Sequence, residues 1–184
     1  TLLTLIVPLF DRHSLTHRVL TNLDKQKCEF KIIVADGSED PYPEELLDSY
    51  ENLRIDYFYS GYDEDITQFI HKLSKAINKV YTPFCMLFDN DDLIDLKGVS
   101  NGVAFLAENT DYSSYQNDVR VLDKRPEFTL GDSLYTHDSI EEDDAFDRIK
   151  KSIYDFNSFN YAVLRTPIIR CLLDSISNIS VFFC

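Results

Sequence analysis

Glycine is scarce in this sequence: 5 of 184 residues, against a usual share of about 7%. Phosphate-cradling loops are built from glycine, and neither GxGxxG nor GxxxxGKS/T occurs. Basic residues are also few. Lys and Arg number 18 against 32 Asp and Glu, a net charge of −14. Binding to nucleic acid or to an anionic membrane surface needs concentrated positive charge, so neither is expected as a partner. The four cysteines, Cys28, Cys85, Cys171 and Cys184, are widely spaced with no CxxC, which argues against a zinc ribbon, a redox dithiol or a disulfide framework. A reduced, cytoplasmic setting is expected, with Cys28, Cys85 and Cys171 serving as small hydrophobes. No apolar run approaches the roughly 20 residues of a membrane span, so no transmembrane segment is expected. Residues 2–7 are too short for a signal peptide and meet Pro8 at once. The sequence opens on Thr1 and closes on Val181-Phe182-Phe183-Cys184, which suggests a piece of a longer protein.

Apolar residues make up 44% and aromatics 13%, enough to exclude disorder, and the length fits one domain. Residues 2–7 form a continuous apolar run closed by Pro8, as in a strand buried on both faces. Ser14 is placed to cap a helix through about Lys25, with Leu15, Val19 and Leu23 at four-residue spacing. A second buried strand, residues 30–35, ends in Asp36-Gly37-Ser38. Pro43 opens a short helix to Ser49, and residues 54–59 alternate as a third strand. Ile66, Ile70, Leu73, Ile77 and Val80 mark a helix, which Pro83 ends. Residues 84–88 (FCMLF) are a fourth strand that runs into Asp89-Asn90-Asp91-Asp92. Beyond it we expect a helix over 96–109, strand structure within 112–121, a short strand over 160–165, and a helix opened by Thr166-Pro167. Strands alternating with helices give an α/β fold, a mostly parallel sheet with helices on both faces. Such sheets bind ligands at the carboxyl ends of their strands. Residues 1–92 are expected to form the ligand-binding half of the domain and residues 93–184 the rest.

The four strand ends fall at residues 8–11, 36–38, 60–63 and 89–92. Asp-x-Asp at the last of these offers hard oxygen ligands, an incomplete cage of the kind Mg²⁺ uses together with substrate phosphates. The bland alternative is a strand exit and helix cap. An EF-hand loop is excluded, because counting from Asp89 its sixth and twelfth positions hold Ile94 and Ser100. The four histidines, His13, His17, His71 and His137, have no metal-ligand spacing, and GxSxG is absent.

Taken in order, LTLIVPLFDR, FKIIVADGSED and KLSKAINKVYTPFCMLFDNDD resemble the GT-A glycosyltransferases, in particular the family-2-like group that uses nucleotide-activated sugars. The resemblance covers residues 2–95 well and the remainder poorly. It implies a GT-A fold and transfer of a sugar from a nucleotide-diphosphate sugar, a UDP-sugar first, to a hydroxyl of a glycan or glycolipid, with inversion and with Mn²⁺ or Mg²⁺. By the same resemblance Pro8, Phe10 and Asp11 pack against base and ribose, and Asp36 meets the base edge. Asp89 and Asn90 lie near the ribose, Asp91 with Asp89 holds the metal, and Lys72 faces the phosphates. Asp36 also reads as a turn cap, Lys72 as a solvated lysine, and Ala35 stands where many members carry a first acid. The general base falls to the acidic cluster Glu141-Glu142-Asp143-Asp144, with Glu142 and Asp143 foremost; the same run also suits a solvated loop. Two other readings stay open: an inactive glycosyltransferase-like scaffold, and a nucleotidyltransferase, disfavoured because residues 9–14 (LFDRHS) lack glycine.

Overall fold

A computed structural model describes residues 1–123, 129–135, 138–154 and 161–180. His137 and Cys184 lie outside the described residues. The chain divides into two compact units, one of residues 1–115 with 161–184 and one of residues 116–160.

In the first unit, strands β1 (Leu3–Leu9), β2 (Lys31–Asp36), β3 (Arg54–Tyr59), β4 (Phe84–Leu87), β5 (Ser114–Tyr115) and β8 (Val163–Arg165) form one sheet in the order β3-β2-β1-β4-β8-β5. The first four are parallel, with Thr4 opposite Lys31 and Cys85, and Lys31 opposite Arg54. β8 runs antiparallel to both β4 and β5. Central β1 is buried along its whole length, because successive side chains feed opposite faces and both faces are covered. On one face Leu3, Leu5, Val7 and Leu9 pack with Val19, Leu20 and Leu23 of α1 (His13–Lys25) and with Val103 and Leu106 of α3 (Leu96–Glu108). On the other, Ile6, Ile33 and Cys85 pack with Leu73, Ala76 and Ile77 of α2 (Ile66–Asn78) and with Ile169 and Leu173 of α5 (Thr166–Ser180). Helices on both faces of a mostly parallel sheet are the expected arrangement. The second unit contains the antiparallel pair β6 (Val119–Asp123) and β7 (Thr129–Tyr135), and α4 (Ala145–Tyr154).

The structure corrects several local expectations. Ser14 does not cap α1. The helix starts at His13, and its cap position is Arg12, in the left-handed conformation (φ 54°). Leu15 and Thr16 donate to the Arg12 carbonyl at 2.9 and 3.2 Å. The sharp exit from β1 through Asp11 (φ 50°) and Arg12 begins the helix early, which leaves Ser14 inside its first turn. The expected short helix ending at Ser49 is present as a 3-10 helix, Glu44–Ser49, with Pro43 at its cap position and not at its first turn. Ile66 is 66% exposed: the buried side of α2 is Lys72, Leu73, Ala76 and Ile77, while Asp65 caps the first turn by accepting from the Thr67 and Gln68 amides. Cys28 and Cys85 are buried as expected, but Cys171 is exposed.

Candidate active site

The carboxyl ends of β1, β2 and β4 and the loop after β3 meet at one rim. Asp36, fully buried at the end of β2, accepts from the Ser38 amide (2.9 Å) and hydroxyl (2.6 Å) through Oδ1, and from the Tyr42 amide (2.7 Å) and the Tyr57 hydroxyl (2.8 Å) through Oδ2. Burial, and the bond to Asp36, push the Tyr57 phenol above its usual range. With both oxygens engaged, Asp36 organises the turn after β2, the role its position before Gly37 suggests. Gly37 itself is required by space, since a Cβ there would sit 2.2 Å from Asp63.

Lys72 is likewise interior. Its ammonium is fully buried, donates to the Leu9 carbonyl at 2.7 Å and forms an ion pair with Asp63, whose side chain is 4% exposed. Asp63 Oδ1 has no partner among the described residues. The Asp63 amide donates to Gly37 O at 2.9 Å and the Gly37 amide to Leu9 O at 3.0 Å. One buried cation thus ties together the ends of β1 and β2 and the loop after β3.

Around this interior lies a cleft of about 290 Å³ lined by Pro8, Phe10, Arg12, Phe69, Asp89, Asn90 and Asp91. Five of the residues singled out in the sequence therefore line one cavity: Pro8, Phe10, Asp89, Asn90 and Asp91. Phe10, 42% exposed, stacks on the exposed Tyr62 with ring centroids 5.8 Å apart and planes 26° from parallel, an aromatic ledge suited to a planar base. Asn90 is buried and donates to Thr16 Oγ1 at 2.9 Å, which anchors the acidic exit to α1. Asp11 braces the first loop: its amide donates to Ser38 Oγ (2.8 Å) and its Oδ1 accepts from the Glu39 amide (3.2 Å). These bonds hold two successive left-handed residues, a conformation that costs about 1–2 kcal/mol each without glycine.

Asp89, Asp91 and Asp92 each place a carboxylate oxygen within 4.8 Å of the others. Asp91 Oδ2 accepts from Arg12 Nη1 at 2.8 Å and the Asp91 carbonyl accepts from Arg18. The Tyr161 hydroxyl donates to Asp89 Oδ2 at 2.9 Å and to Asp92. Burial, and then these two bonds, push the Tyr161 phenol above its usual range, so it remains a donor. Three clustered carboxylates at a partly open surface fit a hard divalent cation that keeps positions for water and phosphate.

Sequence reasoning passed over Arg12, Arg18, Tyr62, Asp63 and Tyr161. Tyr62 and Asp63 stand at a strand end already marked for ligands, so the rule that found Asp89 reaches them too. Tyr161 carries no local signal: it is 69 residues from Asp92 and arrives through the turn before β8, where its φ is 68° and its amide donates to Leu87 O.

In the second unit, Glu142 pairs with Lys151 at 2.9 Å, which holds its carboxyl below the usual range. Asp144 caps α4 by accepting from the Phe146 and Asp147 amides. Arg148 donates to the carbonyls of Glu142 and Asp143. The Asp143 side chain is exposed and has no hydrogen bond or ion pair among the described residues.

A mostly parallel sheet with helices on both faces and an acidic exit at the end of β4 matches the GT-A fold of solved glycosyltransferases. The S. aureus TarS 1-349 crystal structure superimposes with a TM-score of 0.63 at 17% identity, over 92% of this chain and 48% of that one. TarS 1-349 in complex with UDP-GlcNAc gives 0.62 at 16% identity, over 92% and 47%, and its UDP complex 0.61 at 17%, over 92% and 48%. The sequence model of glycosyl transferase family 2 matches residues 4–173; the chain belongs to that family. It spans about half the length of the TarS structures it matches. No curated protein matches it in sequence. Among the described residues no helix is long and apolar enough to cross a membrane.

Proposed function

We propose that this chain binds a UDP-sugar in the cleft between β1 and β4 and transfers the sugar, with inversion, to a hydroxyl of a glycan or glycolipid during polysaccharide assembly in the cytoplasm. The observation that carries this reading is the sharing of one cleft by the Phe10 ledge and the acidic run Asp89 to Asp91. A base and a diphosphate need those two surfaces at the two ends of one nucleotide. The UDP and UDP-GlcNAc complexes of TarS support the choice of uridine.

The contacts support a role for each residue. Phe10, backed by Tyr62, receives the base; Pro8 shapes the floor beneath the ribose. Asp36 and Asp11 keep the two loops in place around the base. Lys72 acts from the interior through Asp63 and Leu9. Asp89, Asp91 and Asp92 would hold Mn²⁺ or Mg²⁺, with Asn90 fixing the turn between the first two. When bound, the cation supplies Lewis acidity that makes the nucleoside diphosphate a competent leaving group. Isothermal titration with UDP, GDP and ADP, with and without Mn²⁺, tests the site. UDP is expected to bind at least tenfold more tightly with Mn²⁺ than without, and more tightly than the purine nucleotides. Equal affinity with and without metal would remove this reading.

The acceptor proton needs a carboxylate, and Asp143 is our choice over Glu142. A base must be free to approach the hydroxyl to within about 3 Å, and Glu142 is engaged by Lys151 with its basicity lowered. Asp143→Asn is expected to slow UDP release from the UDP-sugar by about 10²-fold or more with donor affinity unchanged, and Glu142→Gln by less than tenfold. Coupled-assay kinetics beside donor titrations check this; loss of donor affinity in Asp143→Asn would place that residue in binding instead.

A further inference from the structure

Arg12 is unusual on three counts. It is a non-glycine residue in the left-handed conformation. It is the one cation among the described residues that line the cleft. Its side chain, 60% exposed, sits on Asp91, a candidate cation ligand, at 2.8 Å. Of the neighbouring cations, Lys72 is held by Asp63 and Leu9, and Arg18 gives one Nη donor to the Asp91 carbonyl and is outside the described lining of the cleft. A diphosphate entering this acidic cleft therefore has one guanidinium within the lining to meet it. An exposed ion pair is weak, because water screens both partners, and a guanidinium fork matches phosphate oxygens two at a time. The exchange of a carboxylate for a phosphate is thus favourable on geometry and on charge.

We propose that Arg12 is a diphosphate-binding residue that exchanges Asp91 for the phosphate oxygens of the donor. The same arginine that competes with a cation arriving alone then binds the phosphates of a cation that arrives with its nucleotide, so that metal and donor load together. This rests on the reading of the cleft as a nucleotide-diphosphate site. The exchange shifts two affinities in opposite directions, because Arg12 has differential contacts with the two occupants.

The test uses Arg12→Gly, since glycine accepts the positive φ without strain and is tolerated at a helix cap; thermal melting verifies the fold. Mn²⁺ binding alone is followed by electron paramagnetic resonance, and UDP binding at saturating Mn²⁺ by calorimetry. Arg12→Gly is expected to bind Mn²⁺ alone about two- to fivefold more tightly, as Asp91 is released from a surface pair. It is expected to bind UDP about tenfold or more weakly at saturating Mn²⁺, as a charge-assisted fork is lost. Arg12→Lys, which keeps the charge but not the fork, should leave Mn²⁺ binding near that of the unaltered protein and still weaken UDP. Both affinities moving the same way in Arg12→Gly, or UDP affinity unchanged in it, overturns the inference while leaving the cleft a nucleotide site. If the unaltered protein binds Mn²⁺ but no UDP, the nucleotide reading falls and the inference falls with it.

Discussion

Lys72→Met is expected to lower the stability of the chain by about 3–5 kcal/mol, the usual cost of leaving a buried charge without its partner. The pair is interior on both sides, with side-chain exposures of 0% for Lys72 and 4% for Asp63. No second partner holds Asp63 among the described residues, since its other oxygen makes no hydrogen bond, so without Lys72 it must stay charged and unpaired or take up a proton at a cost. Methionine fills the volume of the lysine stem, so the loss isolates the ammonium and its two bonds from a packing defect. The double variant Lys72→Met/Asp63→Ala should recover part of the loss, because it removes the buried charge left unpaired without adding volume against Gly37. Urea unfolding of the three variants measures this directly. The competing role for Lys72, a side chain offered to the donor phosphates, predicts a different pattern: little change in unfolding and a large loss of UDP affinity. A stability loss below about 1 kcal/mol would favour that role over the structural one.

The parallel half of the fold was legible because its signals are local. A run such as residues 2–7 is apolar but for Thr4, and Pro8, Gly37 and Pro83 punctuate the elements. The parallel pairing of β1 to β4 follows once the strands alternate with helices. The acidic exit of β4 was equally visible, since Asp-x-Asp after an apolar strand needs no partner to be recognised. What failed to show depends on distant contacts. Asp36 carries the same turn signature whether it faces a ligand or the interior; only the arrival of Tyr42 and Tyr57 makes it an internal acceptor. Lys72 falls on the buried stripe of α2, a position that a helical-period reading marks as apolar, and its partner Asp63 lies on a separate loop. Ser14 is a good cap by residue type, yet the turn through Asp11 and Arg12 started the helix before it. Tyr161 reaches Asp89 and Asp92 only because β8 returns antiparallel beside β4, a pairing that no pattern in residues 155–165 announces.

The carboxylates of the β4 exit should separate sharply in an alanine series. Asp91→Ala is expected to reduce the Mn²⁺-dependent affinity for UDP by about 100-fold, at the upper end of what one lost contact at a metal site costs. Asp92→Ala is expected to reduce it by less than tenfold. Asp91 lines the cleft and its backbone is fixed through the carbonyl by Arg18, so the residue is already placed when a cation arrives. Asp92 is exposed, does not line the cleft, and shares the Tyr161 hydroxyl with Asp89. Losing Asp92 leaves Asp89 still held by that hydroxyl and both acids of the cleft lining in place; losing Asp91 removes one of those two lining acids. Removal of any one of the three acids also lowers the negative potential of the cleft, which would by itself help an anionic nucleotide. Titrations of UDP without metal therefore accompany the series, and only the metal-dependent part of the affinity is compared. Equal metal-dependent losses at Asp91 and Asp92 would remove this distinction between them, and a larger loss at Asp92 than at Asp91 would make Asp89 with Asp92, the pair already bridged by Tyr161, the cation-holding couple.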